Sequence, residues 1–266
     1  MAAYPFLQRL ILLIGEEAAT SLEKCKVLVV GLGGVGSWCA EALVRSGVGN
    51  ISIVDSDTVC ASNINRQAQA MCSTIGRLKT GALEERLKDI SPGCTVKAFP
   101  KVFSKENADD FDIGGMDYVI DAIDTLPCKL DLIEAALAAG KPLYSSMGMA
   151  GKLDPALIKT GDIWDTQSCP LAKLVRQGLK KRDISGHFTA VYSTEKLKRN
   201  GLPEPAALSD HLQVARRGSP PVRENGRIIN GSAVTVTAAA GMVLASLVLK
   251  DIYSRCAPSS PEESRG

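Results

Sequence analysis

The stretch that most limits what this chain can become is residues 26–67, KVLVVGLGGVGSWCAEALVRSGVGNISIVDSDTVCASNINRQ. It begins with an apolar run at 27–30, short enough for a buried strand and bounded by glycine. Gly31, Gly33, Gly34 and Gly36 then form a G-x-G-G-x-G turn ahead of a helical pattern over 37–45. Backbone amides of such a turn, at the positive end of the next helix, make a site for phosphate. A second apolar run, 51–54, ends at Asp55, 24 residues beyond Gly31. A dinucleotide-binding fold places there the acid that bonds a ribose hydroxyl. On this much three readings stand side by side: an NAD site, a site for another nucleotide, and a turn that packs a helix on a strand.

The residues after Asp55 shift the balance toward a triphosphate. Asp57 completes an Asp-Ser-Asp, Asn63 and Arg66 belong to Asn63-Ile64-Asn65-Arg66-Gln67, and Lys79 closes Ile75-Gly76-Arg77-Leu78-Lys79. These groups can neutralise phosphate charge, whereas a nicotinamide reaction would leave them unused. Further on, 117–122 (DYVIDA) reads as a core strand, with Asp124 just past its end. Open α/β sheets bind ligands at the carboxyl ends of their strands, so Asp124 is placed to touch the nucleotide or its magnesium. Capping the helix expected over 125–139 is its competing role. Asp121 reads as a structural acid facing the sheet.

GLGGVG, DSDTV, SNINRQ, GRLK and DAIDT, in that order within about residues 9–156, resemble the ubiquitin-activating-like adenylating superfamily of ThiF, MoeB and HesA. RLILLIGEEA, VCASNINRQ, DYVIDAIDT, SSMGMAGKLDP and SCPLAKLVRQGLKKR look closest to the branch that dehydrates threonylcarbamoyladenosine in tRNA. The resemblance implies ATP with Mg2+, leaves a monovalent cation open, and implies a tRNA modified next to the anticodon. The threonyl carboxylate would be adenylated with release of pyrophosphate. An internal nucleophile of the same modification would then close a ring, expelling AMP with net loss of water.

In that scheme Gly31, Gly33, Gly34 and Gly36 line the phosphates, Asp55 holds the ribose and Asp124 supports magnesium. Asn63, Arg66, Lys79 and Arg9 stabilise charge on the triphosphate, and Asp57 shapes the turn or assists the metal. Arg9 matches an arginine that in resembling enzymes reaches the γ-phosphate, often in the partner subunit; a surface arginine on a docking helix is equally open. A homodimer and a cysteine-desulfurase or sulfur-acceptor partner are further implications.

Three other functions remain open. A sulfur-carrier activator would share the ATP site but commonly holds zinc in paired C-x-x-C motifs. The eight cysteines, at 25, 39, 60, 72, 94, 128, 169 and 256, form no such pair, so no zinc is expected. An NAD-dependent oxidoreductase leaves Asn63, Arg66 and Lys79 without a task. A nucleotide-binding scaffold would need the site without turnover.

Alternating strands and helices through residue 150 imply an α/β, Rossmann-like, doubly wound and mostly parallel sheet, with helices on both faces and a C-terminal extension. At 266 residues, 45% of them apolar, the chain can bury a large core, and a single domain over 1–256 is expected. Two short amphipathic helices are expected over 7–22, with no export signal, since Glu16 and Glu17 follow the apolar 10–14 at once. Residues 151–227 carry 14 Lys/Arg against 8 Asp/Glu, and the remainder carries 17 against 21. That basic segment suits a nucleic acid, with Lys173, Arg176, Lys180, Lys181 and Arg182 as candidate phosphate contacts on a helix over 171–181; a solvated face is the competing reading.

A strand is expected over 158–164, and a mobile excursion within about 157–227, concentrated at 196–227. Cys25, Cys39, Cys72 and Cys128 read as buried thiols of a reducing, cytoplasmic compartment, Cys169 as a packing residue ahead of a catalytic one, and His187 and His211 as ordinary surface or loop residues. The apolar 231–249 reads as a small-residue helix over 235–250 packed on the sheet or at a dimer interface. It carries too many hydroxyls for a membrane span, and it is ended by Asp251 and Tyr253. A disordered tail is expected over 257–266.

Overall fold

The computed structural model describes residues 5–196, 223–224, 227–228 and 231–256. Of the mobile excursion expected at 196–227, residues 197–222 and 225–226 lie outside the described residues, as do the tail over 257–266 and His211.

Seven strands form one sheet: β1 (Lys26–Val30), β2 (Asn50–Val54), β3 (Thr95–Phe99), β4 (Tyr118–Asp121), β5 (Leu143–Ser146), β6 (Ile158–Asp162) and β7 (Thr189–Ser193). Their order is β3-β2-β1-β4-β5-β7-β6, parallel throughout except for β6, which closes the edge antiparallel to β7. Alternation sorts the strands between two cores. Val27, Val29, Ile51, Ile53 and Ile120 face one, and Leu28, Val30, Val54 and Val119 the other. Both faces are buried, which is why these strands read as unbroken apolar runs in place of an apolar–polar alternation.

The first core is covered by α1 (Gln8–Lys24), α2 (Gly36–Arg45), α3 (Lys79–Ile90) and α6 (Val234–Cys256); the second by α4 (Leu126–Ala138) and α5 (Pro170–Lys181). A separate hairpin pairs β8 (Arg223–Glu224) with β9 (Arg227–Ile228). α1 is broken at Gly15, whose φ of 84° no helix accommodates, so the two short helices expected over 7–22 are two arms of one bent element. Half of the stretch expected as an excursion is integral to the sheet, since β6, α5 and β7 all lie within 157–196.

Two expectations need correction. The C-terminal helix runs past Asp251 and Tyr253 to Cys256, because Asp251 accepts the Tyr118 hydroxyl at 2.6 Å and pairs with Arg255 one turn on at 2.6 Å. The same helix packs within the chain, one of the two placements expected for it: a Cβ at Gly241 would stand 2.6 Å from the Val35 carbonyl, so α6 lies directly on α2. The strand expected over 158–164 stops at Asp162, whose carboxylate accepts the Trp164 N–H at 2.9 Å and turns the chain into a short 3-10 helix.

α6 is also long and apolar enough to cross a membrane by length and composition. Val236, Ala240, Leu244, Ala245, Val248 and Ile252 instead lie in the first core.

Candidate active site

The chain runs outward from β1 to β2 and β3, then returns across β1 to β4 and continues the other way. The strand order therefore reverses between β1 and β4, and a crevice opens at their carboxyl ends. The glycine turn leaves β1 on one side of it, and Asp124 follows β4 on the other.

Two of the four glycines serve packing. Gly31 has φ 91° and a Cβ there would stand 2.7 Å from the Ala122 carbonyl; at Gly36 it would stand 1.8 Å from the Gly31 carbonyl. Gly34 lies against the Thr237 and Arg66 side chains, while Gly33 faces open space. Leu32 is held at both ends: its N–H donates to Asp55 Oδ2 at 2.7 Å, and its carbonyl accepts from Gln69 Nε2 at 2.9 Å. A trans peptide points its C=O and N–H in opposite directions, so the buried Gln69 amide turns the Gly33 N–H toward the open side. In α2 itself the Ser37 N–H already donates to the Gly33 carbonyl at 3.2 Å and the Cys39 N–H to the Val35 carbonyl at 3.0 Å, so the turn ahead of the helix is the part suited to an anion.

Asp55 ends β2 with little exposure. Its Oδ1 accepts the Asp57 N–H at 2.8 Å, and Lys79 Nζ stands 3.8 Å from Oδ2. Burial raises the Asp55 carboxyl above its ordinary value, against the opposing pull of Lys79. Lys79 comes from 24 residues further along the chain because the intervening loop folds back on itself. Thr58 and Leu78 form an antiparallel bridge, and the Lys79 N–H donates to the Asp57 carbonyl at 2.9 Å. That places Nζ 2.8 Å from Asp57 Oδ2, so Asp57 both shapes the turn and holds the lysine.

Asn63 spends its side-chain oxygen on the Cys60 N–H at 3.1 Å, which leaves its amide protons for a ligand. Trp38 fixes Arg66 by donating Nε1 to the Arg66 carbonyl at 2.9 Å. The guanidinium rests on the Ser62 carbonyl and Asn65 Oδ1 through Nη1 alone. Asn65 reaches the Ser232 carbonyl at 2.9 Å, tying this loop to the start of α6.

Asp124 is exposed and does not cap α4: Thr125 occupies the cap position without a side-chain bond, and Asp124 only accepts the Thr125 hydroxyl at 3.2 Å. Among the described residues no three His, Cys, Asp or Glu side chains converge on a metal. One free carboxylate beside a phosphate turn suits Mg2+, which takes one or two protein carboxylates and completes its shell with phosphate oxygens and water.

Other candidates fall elsewhere. Arg9 is exposed near the opposite edge of the sheet: Leu7 packs on Gly47 ahead of β2, and Leu7 and Ile11 line a cavity of about 250 Å³ with Asn50 and Thr95. Of the basic set on and after α5, Arg176 bonds the Ile163 and Thr166 carbonyls and Arg182 pairs with Asp131 and Glu134. Lys180 stands over the Trp164 ring and remains exposed, as do Lys173 and Lys181. Lys173 sits on the first turn of α5, whose start packs on Gly148 beside the crevice; Lys180 and Lys181 lie at the far end.

Cys169 is buried against Gly148. No disulfide forms. Cys25 and Cys39 are buried as expected, but Cys72 is exposed and Cys128 half-buried, since Cys72 opens a surface 3-10 turn outside the sheet layers.

Trp38, Gln69 and Lys129 were not singled out from the sequence. Lys129 had a readable signal: it lies one turn before Ile133 and two before Ala136, on the apolar stripe of α4, where a charge must find a partner.

A crossover crevice lined by a glycine-rich turn, the buried Asp55 and a basic cluster defines a doubly wound protein of the nucleotide-binding class. More narrowly, the chain belongs to the ThiF family, whose profile matches residues 7–261. It is 37% identical over 243 residues to the tRNA threonylcarbamoyladenosine dehydratase of Bacillus subtilis, covering 91% of this chain and 92% of that one. It is similar to the E. coli dehydratase TcdA solved with ATP (TM-score 0.78, 32% identity, 94% of each chain) and with AMP (TM-score 0.77, 33% identity, 92% of each chain).

Proposed function

We propose that this protein is an ATP-dependent tRNA threonylcarbamoyladenosine dehydratase, acting by adenylation of the threonyl carboxylate. The observation that carries the reading is the joining of Asp55, Lys79 and the glycine turn at one crevice, in a chain alike over its length to an enzyme solved with ATP and with AMP. A carboxylate is a poor electrophile, because its leaving group would be oxide. Attack of its oxygen on the α-phosphorus of ATP forms a mixed anhydride and releases pyrophosphate. The internal nucleophile of the modification then attacks the acyl carbon, forms the ring and expels AMP.

The chain's share is positioning and charge neutralisation. The Gly33 side of the turn lies along the phosphates, Asp55 accepts from the ribose, and Asn63, Arg66 and Lys79 face the charge that moves onto pyrophosphate. Magnesium bound with ATP would supply further neutralisation, and Asp124 is the carboxylate that would hold it. No enzyme thiol is needed, in keeping with the buried Cys169.

Arg9 cannot serve the crevice of its own chain from the opposite edge of the sheet, so in this reading it acts in a homodimer, on the other subunit's nucleotide. Leu12 and Leu13, 84% and 75% exposed on the same arm of α1, suit a covered surface. Lys173, Lys180 and Lys181 are the phosphate contacts retained for the tRNA. Residues 1–256 act as one domain in the cytoplasm, a compartment that suits eight cysteines without a disulfide.

The test is AMP and pyrophosphate release from ATP with tRNA bearing threonylcarbamoyladenosine and with tRNA lacking it. Release with the modified tRNA alone, and a nucleoside lighter by one water, supports the reading. Release only with a carrier protein ending in Gly-Gly would move the assignment to sulfur-carrier activation.

A further inference from the structure

Beneath the crevice lies an ion pair with no access to water. Lys129 Nζ stands 2.7 Å from Asp121 Oδ2, and both side chains are 0% exposed. Nζ also donates to the carbonyls of Ile123 at 3.0 Å and Ser146 at 2.8 Å, which uses all three of its protons. Asp121 in turn accepts the Ser145 hydroxyl at 2.6 Å on Oδ2 and the Ile123 N–H at 3.0 Å on Oδ1. Replacing such a pair by well-packed apolar side chains is often neutral or stabilising, so stability does not account for it.

Its connections do. Ile123 is held at both backbone polar groups, and its carbonyl belongs to the peptide that leads into Asp124. Fixing that carbonyl fixes the plane from which Asp124 departs. Ser146 ends β5 and opens the glycine-rich turn at 147–152, on the far side of β4 from the phosphate turn. One ammonium therefore grips the loop carrying Asp124 and the neighbouring loop at the same edge of the sheet.

We propose that Lys129 and Asp121 are a positioning pair, setting Asp124 and the turn at 147–152 at a fixed separation across the reacting α-phosphate. The pair touches neither ATP nor the acyl group; it acts through Asp124 and through the Ser146 carbonyl. This rests on the adenylation reading, in which Asp124 holds magnesium.

The double variant Lys129→Met/Asp121→Leu removes both charges together and leaves no unpaired one. It is expected to unfold at a temperature close to wild type, to bind ATP in EDTA as wild type does, and to need about tenfold more Mg2+ for the metal-dependent gain in ATP affinity. Its kcat for AMP release falls about 10²-fold with KM for ATP little changed, since displacement by an ångström suffices for such a loss. In an Asp124→Asn background the same double substitution costs little more, because both changes remove one effect. A purely structural pair would show the opposite: additive losses and an unchanged Mg2+ requirement.

If the double variant does not fold, Ser145→Ala serves, because it removes the hydroxyl that steadies Asp121 Oδ2 and so loosens the pair without leaving either charge unpartnered. A raised Mg2+ requirement that disappears in the Asp124→Asn background supports the inference, and an unchanged one overturns it. Wild-type protein that releases no AMP with modified tRNA fails the adenylation reading. Wild-type turnover with an unaffected double variant fails only the positioning role.

Discussion

Arg66, a proposed triphosphate contact, is held in place by its neighbours. Its carbonyl is pinned by the Trp38 indole and one arm of its guanidinium is braced by Ser62 and Asn65, so the remaining donors are presented without a search through rotamers. Arg66→Ala is expected to lower kcat for AMP release by about 10²–10³-fold with little change in thermal stability, the size expected for losing one preorganised charge donor. Measuring unfolding and turnover on the same preparation checks both halves.

Asp55 yields a pH prediction. Burial raises its carboxyl, so in the proposed site the ionised acceptor for the ribose is lost at a higher pH than for an ordinary aspartate. ATP affinity should decline as pH falls through that raised value, and Asp55→Asn should flatten the profile. For stability the sign runs the other way: an acid raised on folding favours the folded state at low pH and loses that contribution as pH rises through the folded value.

The thiols divide by the same logic. Burial pushes Cys25 up to about 12 and Cys94 to about 11, whereas Cys60 and Cys72 are exposed. Alkylation at pH 8 followed by mass mapping should label Cys60 and Cys72 first, and reach Cys25, Cys39 and Cys94 only after denaturation.

Helix α2 is fastened at both ends. At its start Gly36 touches the Gly31 carbonyl so closely that any side chain must move the turn; Gly36→Ala should cost several kcal/mol, on the order of 3 or more, and abolish ATP binding along with it. On its flank Glu41 bonds Arg86 of α3 at 2.6 Å and Arg45 at 2.8 Å. Burial alone would lift the Glu41 carboxyl, but the two arginines outweigh it and hold it below the ordinary carboxylate range. Both partners are partly exposed and screened, so Glu41→Gln should cost only about 1–2 kcal/mol at pH 7. A depressed acid contributes above its unfolded value and loses that as pH falls through the folded one, so the difference between wild type and variant in urea unfolding should close as pH falls below the ordinary carboxylate range.

The strands β1, β2 and β4 were legible because each is short, largely apolar and followed by a residue of the crevice, as Val30 is by the glycine turn and Val54 by Asp55. The end of α6 was not. What extends it is the bond from Tyr118, 133 residues away in sequence, to a residue that by composition reads as a stop.

The two edges of the sheet divide the labour. The residues proposed to bind nucleotide gather at the carboxyl edge, while Arg9, Leu12 and Leu13 sit on an arm of α1 at the other, about 16 Å away along the five residues of β2. In a dimer whose arginine serves the partner, Arg9→Ala and Arg66→Ala subunits should complement each other. Each mixed dimer holds one intact site, so an equal mixture of the two inactive variants should regain about a quarter of wild-type AMP release. If Arg9 acted within its own chain, or nowhere, mixing would restore nothing.

Order along the chain was enough to set a doubly wound, mostly parallel sheet and to put Asp55 and Asp124 at its carboxyl edge, because a parallel α/β sheet puts every strand's successor at the same edge. Lys79 reaches Asp55 by another route, through the loop that the Thr58–Leu78 bridge folds back. Charge and spacing could not tell which basic residues are free: Arg176 and Arg182 are consumed by carbonyls and carboxylates brought to them by β6 and α4, and only packing reveals it. Nor could they expose the buried tie from Lys129 to Ile123 and Ser146, since its acceptors are backbone atoms whose direction exists only once three elements have closed around them.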